Sequence, residues 1–108
     1  MTPTLFLFIC SFENGPFDFY VIAPNAEKAV NTAESATGHA DNVVRVLRTD
    51  CVELAGDTPV WIHQDLYAAT LEGSTAHYAT SGGIKDVILR FPDSAEIRLI
   101  KKNVRIAS

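Results

Sequence analysis

The sequence predicts an α+β fold: a small two-layer sandwich whose sheet is mainly antiparallel, with one or two helices on one face. Three stretches carry that expectation. Residues 5–23 read as strand, turn and strand; residues 26–38 carry a helical stripe of alanines; residues 86–100 read as a second pair of strands around a proline turn.

The first strand is expected over 5–12, where Leu5-Phe6-Leu7-Phe8-Ile9-Cys10 is rich in aromatic and branched side chains. This run is too short for the ~20 residues that a membrane helix needs. No basic residue precedes it and no small-x-small cleavage pattern follows, so it is read as a buried strand, not a signal peptide. Glu13-Asn14-Gly15-Pro16 supplies turn chemistry, because Asn and Gly tolerate positive φ. Residues 17–23 then alternate Phe17, Phe19 and Val21 against Asp18, Tyr20 and Ile22.

Pro24 stops this strand, and Asn25 is placed to cap a helix beginning at Ala26. Ala26, Ala29, Val30, Ala33 and Ala36 form its buried stripe, Glu27, Lys28, Asn31 and Glu34 face solvent, and Gly38 closes it. The crossing from Phe19 to Ala29 is a generic strand-to-helix passage and specifies no activity.

Residues 43–48 are β-branched and read as a strand resuming around 51–54, although Val43, Leu47, Cys51 and Leu54 also sit at helical offsets. After the break at Gly56-Asp57-Thr58-Pro59, Thr58 as cap and Pro59 at the first helical position predict a second helix. Ile62, Leu66 and Ala69 would be its buried face and Gly73 its stop; a strand through Val60-Trp61-Ile62 is the competing reading. Residues 73–83 are small and polar, as in a surface loop. Strands are expected over 86–91 and from Glu96 onward, joined by Pro92-Asp93-Ser94-Ala95. Inward parity slips between Leu99 and Val104, which predicts a bulge at Lys101-Lys102-Asn103. No repeat, heptad or linker interrupts the 108 residues, so one α+β domain over 1–108 is expected.

Composition then narrows function. With 47% hydrophobic and 20% charged residues, the chain has enough apolar material to fold. A net charge of -4 argues against a polyanion-binding module as a whole. The charge is divided, however. Residues 1–84 hold three basic residues against ten acidic, whereas residues 85–108 hold six against three. A basic stripe of Arg90, Arg98, Lys101, Lys102 and Arg105 is therefore expected on the last hairpin, with Tyr20 and Tyr78 as exposed aromatics nearby. The competing role for those charges is protection of a sheet edge.

Catalytic patterns are weak. His63 with Asp65 or Glu72 is one candidate acid–base pair, but on a helix His63 and Asp65 do not face each other. His39, His63 and His77 match no metal-ligand spacing, and Ser81-Gly82-Gly83 lacks both the nucleophile elbow and the phosphate-loop lysine. Cys10 and Cys51 have no C-x-x-C partner and are read as reduced thiols of a cytoplasmic protein. No cofactor and no metal are expected. The resulting expectation is a non-catalytic domain that binds another protein through a sheet edge, helix face or charged surface. By analogy, it suits an accessory or inhibitory protein of phage or mobile-element type. Pairing of two copies through an edge strand is a variant. The alternatives are a nucleic-acid-binding module using the basic hairpin, and a small hydrolase or isomerase using His63. Membrane association is not expected.

Overall fold

The computed structural model describes residues 4–13, 18–37, 42–54 and 64–107. Eight elements follow in order: β1 (Phe6–Phe12), β2 (Asp18–Ala23), α1 (Ala26–Thr37), β3 (Val43–Leu54), β4 (Gln64–Leu71), β5 (Ser74–Thr80), α2 (Ile84–Arg90) and β6 (Glu96–Ile106). The expected α+β class holds, but the sheet is mixed and closes into a barrel in the order β1-β2-β6-β4-β5-β3. Four ladders are antiparallel, while β2 with β6 and β3 with β5 are parallel.

The expected first hairpin is present, with Phe6 opposite Ala23 and Ser11 opposite Asp18. Its strands are covered on both sides, which explains why β1 reads as an unbroken apolar run. Phe8, Cys10, Phe12, Val21 and Ala23 face α1, whereas Leu7 and Ile22 join the cluster inside the barrel. The Asn25 side chain accepts the Lys28 N–H at 2.9 Å, as expected of a cap. Ala29 and Ala33 are fully buried against the sheet, and their small size brings the helix axis close. Glu34 turns inward at the edge of that stripe and accepts the Val43 N–H at 3.1 Å. β3 runs unbroken through the region that the sequence left between strand and helix.

Two expectations are overturned. The helix proposed over 59–72 is replaced, where the chain is described, by β4, whose partner β5 occupies the expected loop. Leu66 and Ala69 are both buried, but on opposite faces of a strand. A strand covered on both sides has no polar alternation, so its period was hidden. The β4–β5 turn is made by Glu72 (φ 51) and Gly73 (φ 83), the two positive-φ positions of a tight hairpin.

The C-terminal hairpin is also absent, because residues 84–90 form α2. β5 and β6 both pair antiparallel to β4 and therefore run parallel to each other. Parallel strands cannot be joined by a hairpin, so the connection must cross the sheet, and α2 makes the crossing. The turn at 92–95 is present, with Ala95 N–H donating to the Pro92 carbonyl at 2.9 Å. The predicted bulge is present too. β6 carries an extra residue between Lys101 and Val104, and Asn103 has φ 57.

The topology contains a duplication that the sequence does not display. β1-β2-α1-β3 and β4-β5-α2-β6 trace the same ββαβ path. In each, the third strand pairs with the first, and the parallel ladders exchange strands between the two halves. Leu7, Ile22, Val52, Leu66, Ala79, Val104 and Ile106 form the shared interior. Burying a side chain such as Ile22 contributes roughly 1.5–3 kcal/mol, so both halves depend on one core. Among the described residues, no helix is long and apolar enough to cross a membrane.

The turn residues 14–16, Gly38, the break at 56–59, Thr58, Trp61, the proposed strand at 60–62, His39 and His63 lie outside the described residues.

Candidate functional site

At each parallel seam the two strands pair only briefly. β6 meets β2 at Val21–Arg105 and Ile22–Ile106, and β3 meets β5 from Val52–His77 to Leu54–Ala79. N-terminal to these short ladders no further pairs form among the described residues. Over 96–104, β6 pairs with β4 along one edge, and its other edge has no strand partner among the described residues. The same holds for β3 over 43–51, which pairs only with β1.

The open edge of β6 carries Arg98, Lys101 and Lys102, all exposed. Two irregularities in the β4–β6 ladder, at Gln64/Leu66 and Leu66/Tyr67, break the alternation of side chains. The charges therefore ride along the edge and do not form one flat face. The Asp65 carboxylate accepts the Asn103 N–H at 3.1 Å and holds the bulge in place. The Lys101 ammonium lies 5.3 Å from the centroid of the half-buried Tyr20 ring, where β2 and β6 part. Five of the predicted residues thus belong to β6 or adjoin it, but Arg105 turns away from the open edge into a cleft beside α1.

Arg90 and Tyr78 do not join them. Arg90 is on α2 and is committed to Glu53 of β3: Nε donates at 2.5 Å to Oε2 and the terminal nitrogen at 2.9 Å to Oε1. That forked bond holds the guanidinium pKa above its ordinary value. Tyr78, expected to be exposed, is buried beneath α2 with its ring 5.8 Å from Phe91 in an edge-to-face contact. Burial raises its phenol pKa, with the carboxylates of Asp86 and Glu53 adding to the effect and Arg90 opposing it. Tyr67 is also buried there.

The hydrolase constellation is dispersed in its described part. Asp65 is engaged by the bulge at the start of β4, while Glu72 sits in the hairpin turn beyond its far end. Ser81-Gly82-Gly83 leads into α2. There the buried Thr80 hydroxyl donates to Asp86 at 2.6 Å and accepts the Gly82 N–H at 3.0 Å. A Cβ at Gly82 would collide with the Asp86 carboxylate, so a larger residue there would displace that side chain from its bond to Thr80.

One juxtaposition escaped the sequence. His77 Nδ1 lies 3.6 Å from Asp50 Oδ2, in a cleft of about 390 Å³ between the diverging β3 and β5. The two residues are brought together by the parallel register Val52–His77, which no local pattern announces. Among the described residues, no group of three or more His, Cys, Asp or Glu side chains is arranged to hold a metal. Comparison with protein-family models, with curated proteins and with solved structures finds no match.

Proposed function

We propose that this chain is a non-catalytic protein-binding domain that takes an extended, acidic segment of its partner onto the open edge of β6. The observation that carries this reading is the edge over 96–104 that has no strand partner among the described residues, with Arg98, Lys101 and Lys102 exposed along it. Strand addition would draw affinity from main-chain hydrogen bonds, and the flanking cations would select carboxylates. The same cations oppose pairing of this edge with its own copy, because like charges would be brought face to face. The setting proposed is the cytoplasm, where both free thiols stay reduced.

The test is fluorescence anisotropy with a labelled peptide that alternates glutamate and valine, beside its lysine–valine counterpart. Saturable binding of the acidic peptide alone is expected, weakened at least about tenfold by Lys101→Glu with Lys102→Glu. Equal binding of both peptides would sink the proposal. Tighter binding of single-stranded DNA, with a steep dependence on salt, would replace it by the nucleic-acid reading.

A second reading rests on β3. Its open edge carries Val44 at 63% and Leu47 at 52% exposure, the profile of a strand that pairs with a second copy. A monomeric mass in light scattering at high concentration would remove it. A dimer dissociated by Leu47→Lys would support it.

A further inference from the structure

We infer that the cleft between α1 and the end of β6 is a binding site for a small oxyanion, a phosphate or carboxylate head group, gripped by Arg105. The cleft has a volume of about 320 Å³ and is lined by Asn31, Thr32 and Ser35 of α1 and by Arg105. Its polar lining is rich in hydrogen-bond donors: a guanidinium, two hydroxyls and an amide. Among the described residues, no carboxylate lines it. The Nε of Arg105 is buried and has no acceptor among the described residues. A desolvated guanidinium donor without an acceptor is costly, and an oxyanion in the cleft, met by a small shift of the Arg105 side chain, is the acceptor whose geometry suits it best.

The duplication of the fold supplies an independent reason. Glu53 precedes Leu54 on β3 as Arg105 precedes Ile106 on β6, and each lies at a parallel seam, opposite Tyr78 and Val21 respectively. At the β3 seam the strand carboxylate and the α2 guanidinium neutralise each other through two hydrogen bonds. At the β6 seam the strand contributes the guanidinium, and α1 answers with hydroxyls and an amide. Among the described residues, the carboxylate that completes one seam has no counterpart at the other, and a bound oxyanion takes its place. Arg105 points away from the open edge of β6, so this site is separate from the one proposed for the partner peptide.

The experiment is a ¹H–¹⁵N NMR titration at constant ionic strength with inorganic phosphate, with phenyl phosphate and with succinate, and with sodium chloride as control. Saturable shifts confined to residues 31–36 and 105–107 are expected, with a dissociation constant on the order of millimolar. The arm that saturates at the lowest concentration identifies the head group. Arg105→Gln should weaken binding at least about tenfold. Ser35→Glu, which builds into α1 the carboxylate that the β3 seam already has, should abolish binding while the protein stays folded. The inference is overturned if no arm saturates by about 50 mM, a limit near 2 kcal/mol of binding. It is equally overturned if Ser35→Glu binds like the parent, or if the shifts spread evenly over Arg98, Lys101 and Lys102.

Discussion

In the first half of the barrel, a twelve-residue helix lies on β1 and β2 and presses two fully buried alanines against Phe8, Cys10, Phe12 and Val21. In the second half, a seven-residue helix does the same work with one fully buried side chain, Val87, set among Tyr67, Tyr78, Phe91 and Ile97. The remaining apolar residues of α2 are turned outward, with Leu89 86% exposed. One chain path is thus covered in two ways. A long helix of small residues seals by close approach, whereas a short helix seals by resting one branched side chain on an aromatic floor. The second arrangement needs polar braces, namely Thr80–Asp86 at its start and Glu53–Arg90 at its end. Among the described residues the first shows no such ion pair, and the buried Nε of Arg105 has no acceptor.

This contrast can be broken most forcefully at what the halves share. Leu66→Ala empties part of the common interior and should cost about 3–4 kcal/mol in urea unfolding, as one cooperative transition seen by all probes. Val87→Ala removes the single anchor of α2 and should cost about 2 kcal/mol. Separate transitions for the two halves in Leu66→Ala would contradict a shared core.

The braces come next. Thr80→Val keeps the shape of a fully buried side chain but deletes its hydrogen bond to Asp86, and a loss of about 1.5–3 kcal/mol is expected. Amide exchange should quicken in α2 more than in α1. Equal quickening in both helices would show that the brace is not local to the second half.

The two halves also share a response to alkali, through different groups. In the first, burial, assisted by the Glu34 carboxylate, pushes the Cys10 thiol from 9.0 up to about 11. In the second, burial and the neighbouring Asp65 raise the Tyr67 phenol, and Tyr78 is raised in the same direction. A group whose pKa is higher folded than unfolded favours the fold below its unfolded value, and that contribution is lost as pH rises toward the folded value. Stability should therefore fall between pH 9 and 11. Cys10→Ala should flatten part of the fall and leave the tyrosine part, which a series of urea midpoints against pH would separate.

The smallest effect belongs to the ion pair. Glu53 and Arg90 are about half exposed, so Glu53→Gln should cost less than about 1 kcal/mol and less still in high salt. A larger cost would show the second half to be more dependent on charge than its packing implies.

Much of the first half was legible because its signals are local. Asn25 caps within three residues, Pro24 interrupts a strand, and alanines recur at helical spacing. In the second half, local pattern conceals both β4 and α2. Gln64–Leu71 is covered on both faces and loses its alternation, while residues 86–91 have the branched composition of a strand but serve as a crossover. Of the candidate surface, the basic residues of the last strand were visible as a division of charge. Their partners were not, since Glu53 lies 37 positions from Arg90 and pairs with it only through the barrel.

The sequence by itself determined the α+β class, the first hairpin and its capped helix, the turn at 92–95 and the bulge near Asn103. Each follows from backbone and side-chain chemistry acting over a few residues. Tertiary structure alone decided the barrel closure, the parallel seams and the conversion of the last expected hairpin into a helix and an open-edged strand. Those outcomes depend on which distant strands lie side by side, and that choice is made by filling one shared interior from both halves of the chain.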